Sequence, residues 1–434
     1  MSVASRLVVI GVAVLAIAGV AVVVVSLGGD GGQPSETVAA TATPPEPTPS
    51  VAASGGPSPS LADEEETLAI LREIERQVIA IRGLPAADIG PADVITRAEL
   101  GDELERLFDE DYPPEERERD TLALRALGLL TEGEDVAELQ LQLLGDQVLG
   151  FYDDVERRMV VVSDAGLDVE ARMTYAHEYA HALQDQAFDL DAVQEADAGN
   201  DDRSLARTSL IEGDASVVML AWAFANLTPE ELMEAGLGAQ VPDMSGIPSW
   251  MVAQLAFPYT DGLNWASALV GNPLEPDFTA IDAAFADPPD STEQIIDLAK
   301  WDPREAPAAV ETIDLAAALG EGWEEVDATP LGQAMIGITL EFHGVDRTSA
   351  LEAGEGWGGD RAVIATGPDD AFAVAWLLEW DSPTDADEFA GAYDTVVDAL
   401  GFPATVVEAS DGTVIVAHAS DDELLRLTLE AAGG

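Results

Sequence analysis

The chain opens on an unbroken apolar run: from Leu7 to Leu27 no residue carries a charge, and Val, Ala, Ile, Leu and Gly fill most positions. At about 1.5 Å per residue a helix of that length crosses a bilayer. Arg6 flanks the run on its amino-terminal side, whereas Asp30 and Glu36 follow it and no basic residue appears before Arg72. That asymmetry predicts a single membrane anchor over residues 7–27, with residues 1–6 in the cytoplasm and the rest outside the cell membrane. A cleaved signal peptide, and hence a secreted chain, is the competing reading. The run is longer than an ordinary signal core, however, and the nearest A-x-A, Ala40-Thr41-Ala42, lies well past its end. Residues 28–61 are rich in Gly, Ser, Thr and Ala and carry Pro34, Pro44, Pro45, Pro47, Pro49, Pro57 and Pro59. Such a stretch cannot bury enough apolar surface to order itself, and it predicts a disordered stalk.

Helical periodicity begins after the stalk. Leu68, Ile70, Leu71, Ile74 and Val78 form one stripe and predict a helix over Asp63–Ile81, and Leu100–Phe108 and Leu122–Leu130 read as further helices around the Asp-Tyr-Pro-Pro break at 111–114. The period then falls to two: Val148–Tyr152 and Arg158–Val162 predict a hairpin turning at Asp153 and Asp154. Helices resume near Asp168 and over Leu205–Leu227. From about Val310 the pattern is mixed. Helix Leu331–His343, a Gly-rich turn at 354–359, strands Arg361–Ala365 and Phe372–Trp380, helix Asp385–Leu400, strands Ala404–Ala409 and Thr413–His418, and helix Asp421–Ala432 follow in turn. The β-β-α-β-β-α order predicts a small antiparallel sheet with helices on one face. The expected fold class is α+β, with a mainly helical domain over 62–309 and a smaller α+β domain over 310–434.

Charge and composition narrow the chemistry. The 434 residues include 83 Asp and Glu against 19 Lys and Arg, a formal net charge of −64. No basic footprint exists to neutralise phosphates, so a nucleic-acid partner is excluded. Lys300 is the single lysine, and there is no cysteine. Thiolate nucleophiles, Cys-ligated zinc and iron–sulfur clusters are thereby ruled out.

The helix that starts near Asp168 contains His177-Glu178-Tyr179-Ala180-His181. Imidazoles four residues apart lie on one helical face and can reach a single tetrahedral metal ion. Glu178, beside the first of them, can take the proton of a metal-bound water. Val169, Met173, Ala176, Ala180 and Leu183 give this helix an apolar side, as expected of a core helix. The preceding hairpin offers a strand edge to which an extended peptide can bond. A third ligand has to come from elsewhere. Glu212, in the segment Glu212-Gly213-Asp214-Ala215, shares a helical face with Leu205, Thr208, Ala215 and Met219. A carboxylate pointing into a core is costly unless it is paired or metal-bound. Asp214 is the alternative ligand, and an ion pair of Glu212 with Arg203 or Arg207 is the metal-free alternative.

This pattern resembles the gluzincin branch of zinc metallopeptidases. It resembles more closely a group of bacterial membrane-anchored or secreted proteins with HExxHALQDQ and EGDA segments, which here read HEYAHALQDQ from His177 to Gln186 and EGDA from Glu212 to Ala215. The resemblance, over roughly residues 65–300, implies a zincin-like fold and Zn2+ held by His177, His181 and Glu212. It further implies Glu178 as general base and a peptide or protein substrate. An inactive surface-displayed binding or envelope-scaffolding module that keeps the same fold is the alternative; the intact Glu178 argues for the enzyme. Tyr259, in the loop-like segment Phe257–Gly262, is a weak candidate for an electrophile, and Asp185, one turn beyond His181, for a carboxylate that orients a ligand. His343 and His418 read as structural. Ser291 and Gln294 match a capping box. Gly354, Gly356 and Gly359 match G-x-G-x-x-G but precede a strand, so a phosphate cradle is not expected.

Overall fold

The computed structural model describes residues 61–145, 148, 150–162, 167–195, 199–238, 244–408 and 412–434; the predicted anchor and all but the last residue of the predicted stalk lie outside them. The first stripe forms α1 (Leu61–Arg82), followed by β1 (Asp93–Ile95), α2 (Arg97–Asp111), α3 (Pro114–Ala126) and α4 (Val136–Gly145). Thr96 and Glu99 close a complete capping box at the start of α2. Helix α3 begins earlier than its apolar residues suggest, because Pro114 suits the first helical position. The hairpin is β2 (Gly150–Asp153) and β3 (Arg158–Val162). Next come α5 (Val169–Phe188), capped by the Asp168 carboxylate, α6 (Leu190–Glu195), α7 (Asp201–Asn226), α8 (Pro229–Gly238), α9 (Ser249–Val270), α10 (Thr279–Ala286), α11 (Thr292–Ile296) and α12 (Leu298–Trp301). β3 is the centre of a three-stranded sheet, antiparallel to β2 and parallel to β1. Strand β1 is too short to show a period in the sequence.

Helices α5 and α7 are the middle of the main core. Met173, Ala176, Ala180 and Leu183 of α5 pack with Leu71, Ile74 and Val78 of α1 and with Leu210 and Met219 of α7. Among the described residues α7 is the one helix long and apolar enough to cross a membrane, and 89% of its most apolar window is buried inside the protein. Two glycines let α7 and α9 approach. A Cβ on Gly213 would lie 2.4 Å from the Gly262 carbonyl oxygen, and one on Gly262 would lie 2.5 Å from that of Ser209.

The C-terminal portion contains α13 (Leu315–Leu319), β4 (Glu324–Thr329), α14 (Gly332–Phe342), α15 (Arg347–Glu352), β5 (Trp357–Thr366), β6 (Phe372–Trp380), α16 (Pro383–Ala399), β7 (Ala404–Glu408), β8 (Thr413–Ala419) and α17 (Asp422–Ala432). Its antiparallel sheet has the order β4-β5-β6-β8-β7. The molecule is thus a mixed α+β structure with two sheets. Two expectations are corrected here. Edge strand β4, reading Glu-Glu-Val-Asp-Ala-Thr, is too polar to register as a strand. Helices also cover both faces of the sheet, not one. Ala362, Trp376, Leu378, Val414 and Val416 face Phe389, Tyr393 and Val396 of α16, while Val363, Ala365, Ala373 and Ala375 face Leu315 of α13 and Ala431 and Ala432 of α17. The unbroken apolar runs in β5 and β6 are what a doubly covered sheet requires.

The two portions share a joint. Ile364 and Val374 of the sheet pack with Leu124 of α3, Leu127 just after it and Trp250 of α9. His418, buried as a structural residue, donates from Nδ1 to the Ala126 carbonyl at 3.0 Å and accepts from the Tyr393 hydroxyl at 3.0 Å. The Ser291–Gln294 segment belongs to the joint as well. Asp202, at the start of α7, accepts from the Thr292 amide at 3.0 Å and from its hydroxyl, whose oxygen accepts from the Ala334 amide at 3.1 Å. Ser291 caps α11, but Gln294 turns its carbonyl to the Asp290 amide at 2.9 Å, so the capping box is only half closed. Lys300 reaches Glu293 at 3.3 Å, Glu305 at 2.5 Å and Asp381 at 2.6 Å. The Gly-rich turn serves packing: a Cβ on Gly356 would sit 2.4 Å from the Asp385 carboxylate, and one on Gly359 2.6 Å from the Ala308 carbonyl.

Candidate metal centre

A step of about one helical turn separates His177 from His181, and the face of α5 that carries both meets the face of α7 that carries Glu212. The result is a set of three ligand atoms within 4.8 Å of one another. His177 Nε2 lies 3.0 Å from Glu212 Oε2 and 3.1 Å from His181 Nε2, and His181 Nε2 lies 3.4 Å from the same carboxylate oxygen. All three residues are buried. Two imidazole nitrogens and one carboxylate oxygen, turned toward one point, could together hold a metal ion. Arg203 and Arg207 do not compete for Glu212: the first pairs with Asp290 at 3.2 Å and the second donates to the Val193 carbonyl at 2.8 Å. Asp214 points away from the cluster and pairs with Arg82 at 3.0 Å.

Residues 319–429 match the family model described as a domain of unknown function (DUF8575). That stretch is the C-terminal sheet with its helices, and it contains none of the residues of the cluster. No curated protein and no solved structure matches the chain.

Glu178 is 2% exposed. Its Oε2 accepts from the Tyr152 amide of β2 at 3.1 Å, whereas Oε1 is buried without a hydrogen-bond partner among the described residues. Burial pushes this carboxyl up to about 8, with the Glu212 charge adding to the effect. Burial opposes ionisation of Glu212 too, but His181 and His177 hold its carboxyl down at about 2. For His181 burial disfavours the cation and Glu212 outweighs it, raising the imidazole to about 9, while burial holds His177 below its usual value.

The residues around the cluster depart from expectation. Asp185 does not orient a ligand; it accepts from the Tyr152 hydroxyl at 2.9 Å and so fixes the strand whose amide holds Glu178. The partner of His181 Nδ1 is instead Gln184 Oε1 at 2.9 Å, from the residue just before Asp185 on α5. Tyr259 lies on α9, not in a loop, and its ring centroid is 6.1 Å from that of His177. The helix continues through Pro258, although an internal proline forfeits one intrahelical bond and crowds the carbonyl one turn back. His343 is half-buried, with its ring 5.0 Å edge-on to Phe342. Gln184, Tyr152 and Arg82 were missed in the sequence; the glutamine within the HALQDQ tail was the one signal that pointed to any of them. A cavity of about 30 Å³ reaches His181 and Glu212, walled by Tyr152, Asp154, Leu190, Gln194, Thr208 and Ile211.

Proposed function

We propose that the protein is a zinc-dependent metallopeptidase with a zincin-like helical domain, related to the gluzincins. In this reading the apolar run over 7–27 anchors it in the cell membrane, its main domain is extracytoplasmic, and its substrates are peptides or proteins. The observation that carries the proposal is the unpartnered Glu178 Oε1, buried next to three converging ligand atoms. An isolated buried carboxylate oxygen is expensive to keep and has a use where a proton must be moved. His177, His181 and Glu212 would hold the ion, which when bound supplies Lewis acidity and an acidified water. Burial alone favours the protonated Glu178, whereas a cation held beside it would favour the carboxylate. That carboxylate could then take a proton at Oε1 and later deliver it to the leaving amine, while the Tyr152 amide keeps its other oxygen in place. The net charge of −64 favours neutral or basic peptides over acidic ones.

The narrow cavity supports a second reading. About 30 Å³ holds water but not a peptide side chain, as suits a displayed binding module that retains its metal without turnover. Purified full-length protein in detergent separates the two. We expect stoichiometric zinc in both the wild type and Glu178→Gln, and casein cleavage that falls about 100-fold or more in the variant. Zinc without Glu178-dependent cleavage would select the binding module. Failure to take up any metal would end the enzyme reading.

A further inference from the structure

The His181 imidazole is held by groups that are not themselves members of the ligand cluster. Gln184 Oε1 faces its Nδ1 at 2.9 Å, while Gln184 Nε2 donates to Asp214 Oδ2 at 2.8 Å and to the Ile211 carbonyl at 3.0 Å. Asp214 Oδ2 also accepts from Arg82 Nε at 3.0 Å, with both side chains fully buried. Arg82 is the last residue of α1; its guanidinium lies 4.5 Å over the Phe278 ring and pairs with Asp282 at 2.7 Å.

We propose that Gln184, Asp214 and Arg82 form a buried positioning chain that sets the His181 tautomer and locks both metal-bearing helices in register. The logic is one of donors and acceptors. A carboxylate oxygen that already accepts from Arg82 presents an acceptor to Gln184, so the glutamine must turn its NH2 toward Asp214. Its carbonyl oxygen is then left for His181, which must carry its proton on Nδ1. The Nε2 lone pair is thereby directed at the ligand cluster. The second proton of the same NH2 holds the Ile211 carbonyl, one residue before Glu212, so a single side chain orients one ligand and pins the backbone of another. The positive charge at the end of α1 thus reaches the metal centre through two side chains.

This inference rests on the metal-centre reading, and the test separates the two. Zinc dissociation constants are measured on the full chain by chelator competition, together with the visible spectrum of the Co2+ form. Gln184→Met keeps the volume and removes all three hydrogen bonds; zinc affinity should fall 10- to 100-fold and the Co2+ bands should shift. Gln184→Glu sets a second carboxylate against Asp214 and should also bind weakly. Gln184→Glu combined with Asp214→Asn exchanges the polarity of the pair at constant charge: the introduced carboxylate accepts from His181, while the introduced amide donates to that carboxylate and accepts from Arg82; only the bond to the Ile211 carbonyl stays lost. It should bind zinc more tightly than Gln184→Glu alone, though below the wild type because the Ile211 carbonyl has lost its donor, and a merely structural role does not predict that gain. Wild-type affinity in Gln184→Met, or no recovery in the double variant, overturns the chain and leaves the metal centre standing. A wild type that binds no zinc overturns both.

Discussion

His418 shows how a single buried side chain couples to pH. Burial, with a smaller contribution from His343, lowers its imidazole to about 4 from an ordinary 6.5, against the opposing bond to Ala126. Below 6.5 the unfolded chain takes up a proton that the folded chain refuses, so stability falls as pH drops through that window. Each pH unit is worth about 1.4 kcal/mol, giving roughly 3 kcal/mol by pH 4. His418→Gln can donate to Ala126 and accept from Tyr393 without titrating. Urea unfolding of the two proteins between pH 7 and 4 should therefore diverge by that amount; parallel curves would refute the assignment. At this scale the sequence was informative where chemistry is local. His177, Glu178 and His181 lie within one turn of α5, and Glu212 stood out as a carboxylate on an apolar face. Arg82 left no trace, because its partner Asp214 is 132 residues away and only the folded chain brings them together.

At the scale of elements, the crossing of α7 and α9 decides where Glu212 stands. A methyl group on Gly213 or Gly262 would collide with main-chain oxygens, at 2.4 and 2.5 Å, so a side-chain rotation cannot relieve it. Gly213→Ala and Gly262→Ala should each cost about 1–3 kcal/mol, as overpacked core positions do. Calorimetry gives the loss; because Gly213 adjoins Glu212, the first variant should also bind zinc less tightly. A wild-type midpoint for either would show that the helices can slide. Helices with a clear apolar stripe, α1 and α5 among them, were legible to within a few residues, and so was the β2–β3 hairpin. The edge strands β1 and β4 were not, since a short or charged strand takes its conformation from the neighbour that it pairs with. Reading Phe257–Gly262 as a loop gave Pro258 and Gly262 their usual meaning as breakers. In the folded protein both lie inside α9, and Gly262 serves the helix crossing.

Over the whole molecule, the charge of −64 sets a self-repulsion that no local pairing removes. Screening weakens it, so raising sodium chloride from about 0.01 M to 1 M shortens the Debye length about tenfold and should raise the thermal midpoint. A midpoint that falls over that range would mean that ion pairs outweigh repulsion. One such pairing stands apart. Lys300, with only 16% of its side chain exposed, gathers carboxylates from the helical portion and from the end of β6. Because no other lysine exists in the chain, its ammonium is the protein's only side-chain amine. An acylating reagent that modifies the closed molecule slowly would modify it quickly once the joint parts, so the rate at one nitrogen becomes a clock for the separation of the two halves.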